Sequence, residues 1–223
     1  MIPKMLLPMQ SVRTYNACIK YALLCLSLLL HVQTFAKPSR ENWLLAKQTE
    51  HIKIHTVEDV SGYVWLKATI TVKGVPEDFL TLLDNTAIAA SWIDNCEKVE
   101  LLASPSPVEK IVKTTFNAPW PAKDREMITK SFTEIDSATH TIRIQVQDYS
   151  EYYPPNNTLV RIQNVRGNWR ITATSKNTMQ IEYIGYGEPS GNLPIWRANK
   201  LVVSSMFKTF HNLGEIFGAP TRF

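Results

Sequence analysis

The sequence predicts an α+β domain, in which a curved antiparallel β-sheet wraps around one long carboxy-terminal α-helix and encloses a hydrophobic cavity. Three observations carry that prediction. Segments with alternating apolar and polar residues are gathered into one run between 64 and 187, as half-buried antiparallel strands require. Helical spacing is confined to short segments at the start and to one long stretch at 193–217. Of the 223 residues, 44% are hydrophobic and 20% charged, the balance of a chain that buries a core.

Before the domain comes an export signal. Lys4, Arg13 and Lys20 precede an apolar run over 21–30, which exits at Thr34-Phe35-Ala36 with the small residues a signal peptidase reads. That ten-residue run is half of the roughly twenty residues a transmembrane helix needs. Residues 1–36 therefore read as a cleavable signal peptide and 37–223 as one exported, periplasmic domain. An uncleaved amino-terminal anchor is the alternative. Cleavage takes three basic and no acidic residues from totals of 24 and 20, leaving 21 against 20 and a net charge near +1. No basic stripe remains, so no nucleic-acid partner is expected. Cys18 and Cys25 leave with the signal, and Cys96 alone makes neither an internal disulfide nor a thiolate metal cage.

Taken in order, a helix from about 41 to 53 follows Pro38-Ser39, with Ser39 as its cap and Leu45, Gln48 and Ile52 at helical spacing. Over 64–73, Leu66, Ala68, Ile70 and Val72 alternate with Lys67, Thr69, Thr71 and Lys73, which makes a strand. Residues 75–84 read as a helix, with Pro76 in its first turn and Glu77 and Asp78 at the positive end of its dipole. A short helix over 86–93 carries Trp92. Strands follow at about 96–103, 109–117, 125–136, 141–149, 159–165, 169–175 and 178–187. The turns between them are marked by Ser104-Pro105-Ser106-Pro107, Asp136-Ser137, Arg166-Gly167-Asn168 and Lys176-Asn177. The stretch 151–157 contains Pro154-Pro155 and no alternation, and reads as a loop. The final helix presents Trp196, Val203, Phe207, Phe210, Leu213 and Phe217 as one apolar stripe.

Two stretches resemble the StAR-related lipid-transfer (START) domain, a member of the helix-grip superfamily. Residues 185–199, Gly-Tyr-Gly-Glu-Pro-Ser-Gly-Asn-Leu-Pro-Ile-Trp-Arg-Ala-Asn, are similar to the family's last strand, its Pro-Gly turn and the opening of its carboxy-terminal helix. Residues 118–126, Ala-Pro-Trp-Pro-Ala-Lys-Asp-Arg-Glu, are similar to the segment leading into its middle strand. Pro189 and Gly191 make a sharp turn, Pro194 presets the first helical turn, and Trp196 and Asn199 are expected to dock the helix. The resemblance implies a tunnel between sheet and final helix, closed by that helix and a lid loop. Tyr149, Tyr152 and Tyr153 are placed on that lid, where aromatic bodies with polar tips suit a membrane surface. Some sterol-binding relatives bury an acidic–basic pair in the cavity, but 127–133 carries no arginine. Either Met127, Thr129, Ser131 and Thr133 face inward, or Ile128 and Phe132 do; alternation alone leaves that register open.

Catalytic chemistry has no signature here. There is no Gly-x-Ser-x-Gly, no phosphate-binding glycine loop and no His-Glu-x-x-His. His51 and His55 are four apart but lack a third ligand, so neither a metal nor a cofactor is expected. Cys96 reads as a small buried apolar group, and Glu126, Glu134 and Glu182 lie in strands without an evident partner. The sequence thus points to a binding protein that holds one lipid or other apolar molecule and touches a membrane transiently. Its expected lining is Met127, Thr129, Trp169, Tyr183, Trp196, Val203, Phe207 and Phe210. A helix-grip enzyme, a cyclase or hydrolase acting on an apolar substrate, is the alternative, with Glu126, Lys130 or Glu182 as its reactive groups. An adaptor binding another envelope protein through the tyrosine-rich loop is a third. Oligomeric state and ligand identity are not encoded in any motif.

Overall fold

The computed structural model describes residues 42–218; the expected signal peptide lies outside the described residues. Within them, ten strands form one sheet: β1 (Leu44–Gln48), β2 (Ile52–Glu58), β3 (Val64–Lys73), β4 (Cys96–Ser106), β5 (Glu109–Phe116), β6 (Arg125–Asp136), β7 (Thr141–Asp148), β8 (Val160–Arg161), β9 (Gln163–Ser175) and β10 (Thr178–Glu188). The helices are α1 (Pro76–Asp84), α2 (Ala89–Trp92) and α3 (Ile195–Phe217). The strand order is β1-β2-β3-β10-β9-β7-β6-β5-β4, antiparallel throughout, while β8 pairs with β6 in parallel. This is the curved sheet and carboxy-terminal helix of the helix-grip fold.

The helix expected over 41–53 is instead the β1–β2 hairpin. Ile52 and Ile54 are buried while Lys53 between them is exposed, a period of two that the helical match of Leu45, Gln48 and Ile52 had masked. Thr49 closes the turn: its backbone N–H donates to Ile52 O at 2.8 Å, and its Oγ1 accepts the Ile52 N–H at 3.2 Å. A second expectation also gives way. Arg166-Gly167-Asn168 is not a turn between two strands but the middle of β9, where Gly167 lies directly opposite Gly185 of β10. The segment over 104–107 turns later than expected, because β4 continues to Ser106.

Helix α1 begins with Pro76, and Asp78 Oδ2 accepts the Val75 N–H at 2.9 Å, closing its first turn. It buries Phe79, and α2 buries Trp92. Helix α3 is docked at both ends by side chains. Asn199 Nδ2 donates to Gly62 O at 2.9 Å and its Oδ1 accepts the Val64 N–H at 3.2 Å, as the resemblance implied for this residue. Further along, Thr209 Oγ1 accepts the Asp94 N–H at 3.0 Å, and Asn212 Nδ2 donates to Trp92 O at 3.1 Å. Between these clamps, Phe210 and Leu213 are completely buried in the core with Ile54, Ile171, Met179 and Ile181. Burying each such side chain stabilises the fold by about 1.5–3 kcal/mol. At the helix end Gly218 takes φ +77° and its carbonyl accepts the Lys73 N–H at 3.0 Å, a left-handed stop that favours glycine.

A candidate ligand-binding interior

Strand register sorts the side chains into rows that cross the sheet on the face turned to α3. The lowest row is Ile70, Ile181, Ile171 and Ile142. Above it run Ala68, Tyr183, Trp169, Ile144 and Thr133, then Leu66, Gly185, Gly167, Val146 and Ser131. The Ser131 row ends in Lys110, and higher still come Asp148 and Thr129 with Val112, and Met127 with Thr114. The open register of β6 is thereby resolved: Met127, Thr129, Ser131 and Thr133 share the face of Trp169 and Phe210. Small, uncharged side chains in mid-strand leave volume beside a helix, which is what an apolar pocket needs.

Aromatic rings fill the lower part of this interior. Trp169 stacks on Phe210 of α3 with centroids 6.1 Å apart, and Phe79 of α1 meets Trp169 at 5.1 Å. Tyr183 lies against Trp169 at 4.5 Å. Its ring lies flat along β10 rather than standing off the sheet, and the two glycines make that possible. A Cβ at Gly185 would come within 2.5 Å of the Tyr183 ring carbons Cε1 and Cζ, and one at Gly167 within 3.0 Å of its hydroxyl. Desolvation pushes the Tyr183 hydroxyl up to about 12, yet the residue retains accessible surface.

The opposite face of β5 and β6 is charged. Glu126 is 0% exposed there. Its Oε1 accepts from Arg161 Nε at 3.0 Å and Nη2 at 2.5 Å, and its Oε2 lies 3.5 Å from Lys113 Nζ. The partner that sequence reading left unassigned for Glu126 is therefore Arg161, which the parallel β8–β6 pairing sets directly opposite it. The same guanidinium donates from Nη1 to Ser150 O at 2.8 Å and Tyr153 O at 2.5 Å, and from Nη2 to Pro154 O at 3.0 Å. The Asn156 N–H adds a bond of 3.4 Å to Glu126 Oε1. One buried ion pair thus pins the whole 150–156 loop.

These contacts relocate the tyrosines assigned to the lid. Tyr149 stacks on Tyr152 at 5.3 Å, its N–H donates to Ile128 O at 2.9 Å, and the Lys113 ammonium stands over the Tyr153 ring at 5.1 Å. The loop thereby covers Ile128 and Glu126 on the side of the sheet away from α3. Of the expected lining residues, the structure brings Trp169, Tyr183, Val203, Phe207 and Phe210 together in and around one core, with Met127 and Thr129 further along the same face. Trp196 is separate: it is 64% exposed, with Arg197 over its ring. Sequence reading missed the glycine pair, although a signal for it was present. Gly167 and Gly185 lie nine and eight residues from the Lys176-Asn177 turn, and the one-residue register shift between Thr178 and Met179 brings them opposite each other. Cys96 is buried and unpaired, and burial, with Glu97 beside it, raises its thiol pKa. Among the described residues, no three His, Cys, Asp or Glu gather closely enough to hold a metal ion.

Comparison with known proteins gives one consistent result. The sequence pattern of the START domain matches residues 26–221. An uncharacterized Pseudomonas aeruginosa protein, PA1579, is 25% identical over 176 residues, covering 78% of this chain and 85% of its own. Among solved structures, a fragment of the STAR-related lipid transfer protein from Xanthomonas axonopodis is 24% identical with a TM-score of 0.72, covering 79% of this chain and 99% of its own. Human StAR-related lipid transfer protein 5 reaches the same TM-score of 0.72 at 13% identity, over 92% of this chain and 97% of its own. Human STARD10 gives 0.68 at 19% identity, over 94% and 81%.

Proposed function

This chain belongs to the START domain family, and on that footing we propose that it holds one lipid between α3 and the inner face of the sheet and carries it chemically unchanged. The observation that carries this reading is the stretch of uncharged side chains Met127, Thr129, Ser131 and Val146 beside an aromatic floor. The charged neighbours in their rows are engaged elsewhere, Lys110 by Asp84 and Asp148 by the Ser150 and Val165 N–H groups. Glu126 and Lys113 face the other way. Two of the similar structures belong to proteins named for lipid transfer, which supports the same reading. Water is the barrier to moving a lipid between membranes. Burial of the chain inside protein removes that barrier, at about 0.8 kcal/mol for each CH₂ enclosed.

Membrane contact belongs, in this proposal, to the end of the fold next to β8 rather than to Tyr149, Tyr152 and Tyr153. The Asp124 carbonyl accepts the Val160 N–H at 2.9 Å, and Gly191 packs against Val160. The 117–124 loop and the turn into α3 therefore flank one spot. Trp120 on the first is 93% exposed, and Trp196 lies just after the second. Tryptophan suits a membrane interface, where one side of the ring is apolar and the other wet. The protein is exported, with residues 1–36 removed.

Purification from a bacterial periplasm without detergent, followed by native and then denaturing mass spectrometry, tests the carriage and the export, and liposome sedimentation tests the membrane contact. The expected result is a polypeptide starting at Lys37 that carries a stoichiometric lipid, released intact on denaturation. A protein that is empty and stays empty after incubation with phospholipid, sterol and fatty acid would sink the carrier reading. Trp120→Ala is expected to weaken sedimentation with liposomes while leaving the lipid in place.

A further inference from the structure

The paired glycines and the ring they accommodate suggest what kind of lipid fits. Glycine inside a strand contributes no packing and loosens the backbone, so two of them facing each other across β9 and β10 weaken the sheet locally. Their effect is to let Tyr183 lie along the floor, with its hydroxyl moved one row up from its own Cα, over Gly167 and beside Val146. A phenylalanine lying in the same place would cover the floor equally well. The hydroxyl is the added element, and no hydrogen bond reaches it among the described residues. Its surroundings on the inner face are Trp169, Val146 and the bare backbone of the two glycines. The ionisable side chain of its row, Lys110, lies three strands away on β5 and is paired with Asp84 of α1. The hydroxyl keeps accessible surface and has no protein partner among the described residues, so a ligand oxygen reaching the floor would supply one.

We infer that Tyr183 is the specificity-determining anchor of the interior: its hydroxyl hydrogen-bonds the single uncharged oxygen function, hydroxyl or carbonyl, of an otherwise apolar lipid that enters polar end first. This deepens the carrier reading and rests on it. Charged head groups are disfavoured at this depth because nothing beside the hydroxyl neutralises them, and a neutral phenol, held protonated by desolvation, donates to either kind of oxygen. The glycine pair sets the position of the hydroxyl, and Trp169 sets the plane of the ring.

The test compares two ligands that differ by one oxygen, 1-hexadecanol and hexadecane, each delivered from cyclodextrin to the delipidated full-length mature protein. Wild type is expected to hold the alcohol about 5- to 10-fold more tightly than the alkane, the discrimination one neutral hydrogen bond provides. Tyr183→Phe is expected to bind both ligands with the alkane's affinity. Gly167→Ala, whose new Cβ would stand 3.0 Å from the hydroxyl and 3.1 Å from ring carbon Cε2, is expected to displace the hydroxyl and cut the preference. A Phe variant that still prefers the alcohol, or a wild type that binds both ligands equally, would overturn the anchor and leave lipid carriage standing. Failure of both ligands to bind wild type would also overturn the anchor, while lipid carriage would be decided separately by the incubation with phospholipid, sterol and fatty acid.

Discussion

Thr129 and Glu126 sit three positions apart on β6 and both are buried, yet their surroundings have nothing in common. Thr129 is on the face turned to α3, in a row with Val112 and in line with the aromatic floor. Glu126 is on the other face, gripped by Arg161 and approached by Lys113, under a loop whose carbonyls the same arginine holds. Adjacent positions of one strand thus serve two purposes. Buried charge is tolerated on the outer face because Glu126 faces Arg161 and Lys113, and the arginine has carbonyl acceptors besides. The inner face carries uncharged side chains over its middle, with Lys110, Asp148 and Arg125 at the borders of β5–β7, and so its middle remains compatible with an apolar occupant.

The sharpest way to break that contrast is to move a charge across the strand. Thr129→Asp puts a buried carboxylate directly opposite Asp148 of β7, and both burial and the like charge raise its pKa in the folded state. Below the unfolded-state value of about 4 both states are protonated and the charge costs nothing. As pH rises past it, the unfolded chain ionises first and stability falls. For an upward shift of about three units the loss reaches about 4 kcal/mol at pH 8, measurable as a urea midpoint that drops between pH 4.5 and 8. A midpoint independent of pH would mean that the inner face is wet.

The complementary change is Glu126→Ala, which strands Arg161 and Lys113 without their counter-charge. A loss of about 3 kcal/mol is expected, together with new proteolytic cleavage within 150–156, while any bound lipid is retained by the fraction that stays folded. Gly185→Ala tests the floor: its Cβ collides with the Tyr183 ring, and strain of about 2 kcal/mol is expected in thermal unfolding. The smallest effect belongs to Tyr152→Ala on the outer loop, within about 0.5 kcal/mol of wild type. Unchanged lipid retention in that variant would separate the loop from the entrance, whereas loss of lipid would restore it as a lid.

How much of this was legible in the sequence depends on the range of the interaction. Strand β3 and the bounds of β6 were readable because alternation is a local property, and α3 because its stripe repeats over many turns. The β1–β2 hairpin was not readable, since Leu45, Gln48 and Ile52 match a helix as well as Ile52 and Ile54 match a strand, and only the pairing of β2 with β3 decides between them. The family resemblance gave the sheet-and-helix arrangement and the docking role of Asn199. It could not place the Tyr149–Tyr153 segment, whose side of the sheet is fixed by Arg161, 35 positions beyond Glu126. For the same reason Gly167 read as a turn: glycine marks both a bend and a close approach, and the ring it makes room for belongs to another strand.

The pairing of β3 with β10 has a consequence in time rather than in space. It joins Ile70 to Ile181 and Leu66 to Gly185, so the first three strands cannot complete their core until nearly the whole chain has been made. Until then Ile52, Ile54, Leu66, Ile70 and Val72 remain uncovered, and α3, which seals them, is the last element of all. The neighbouring hairpins from β4 to β7 close early over short loops, but the sheet as a whole folds late and at the cost of long-range closure. A chain cut short before β10 should therefore be an aggregating fragment rather than a smaller carrier. Under the export proposed above, that timing would leave assembly until the last helix has followed the rest of the chain.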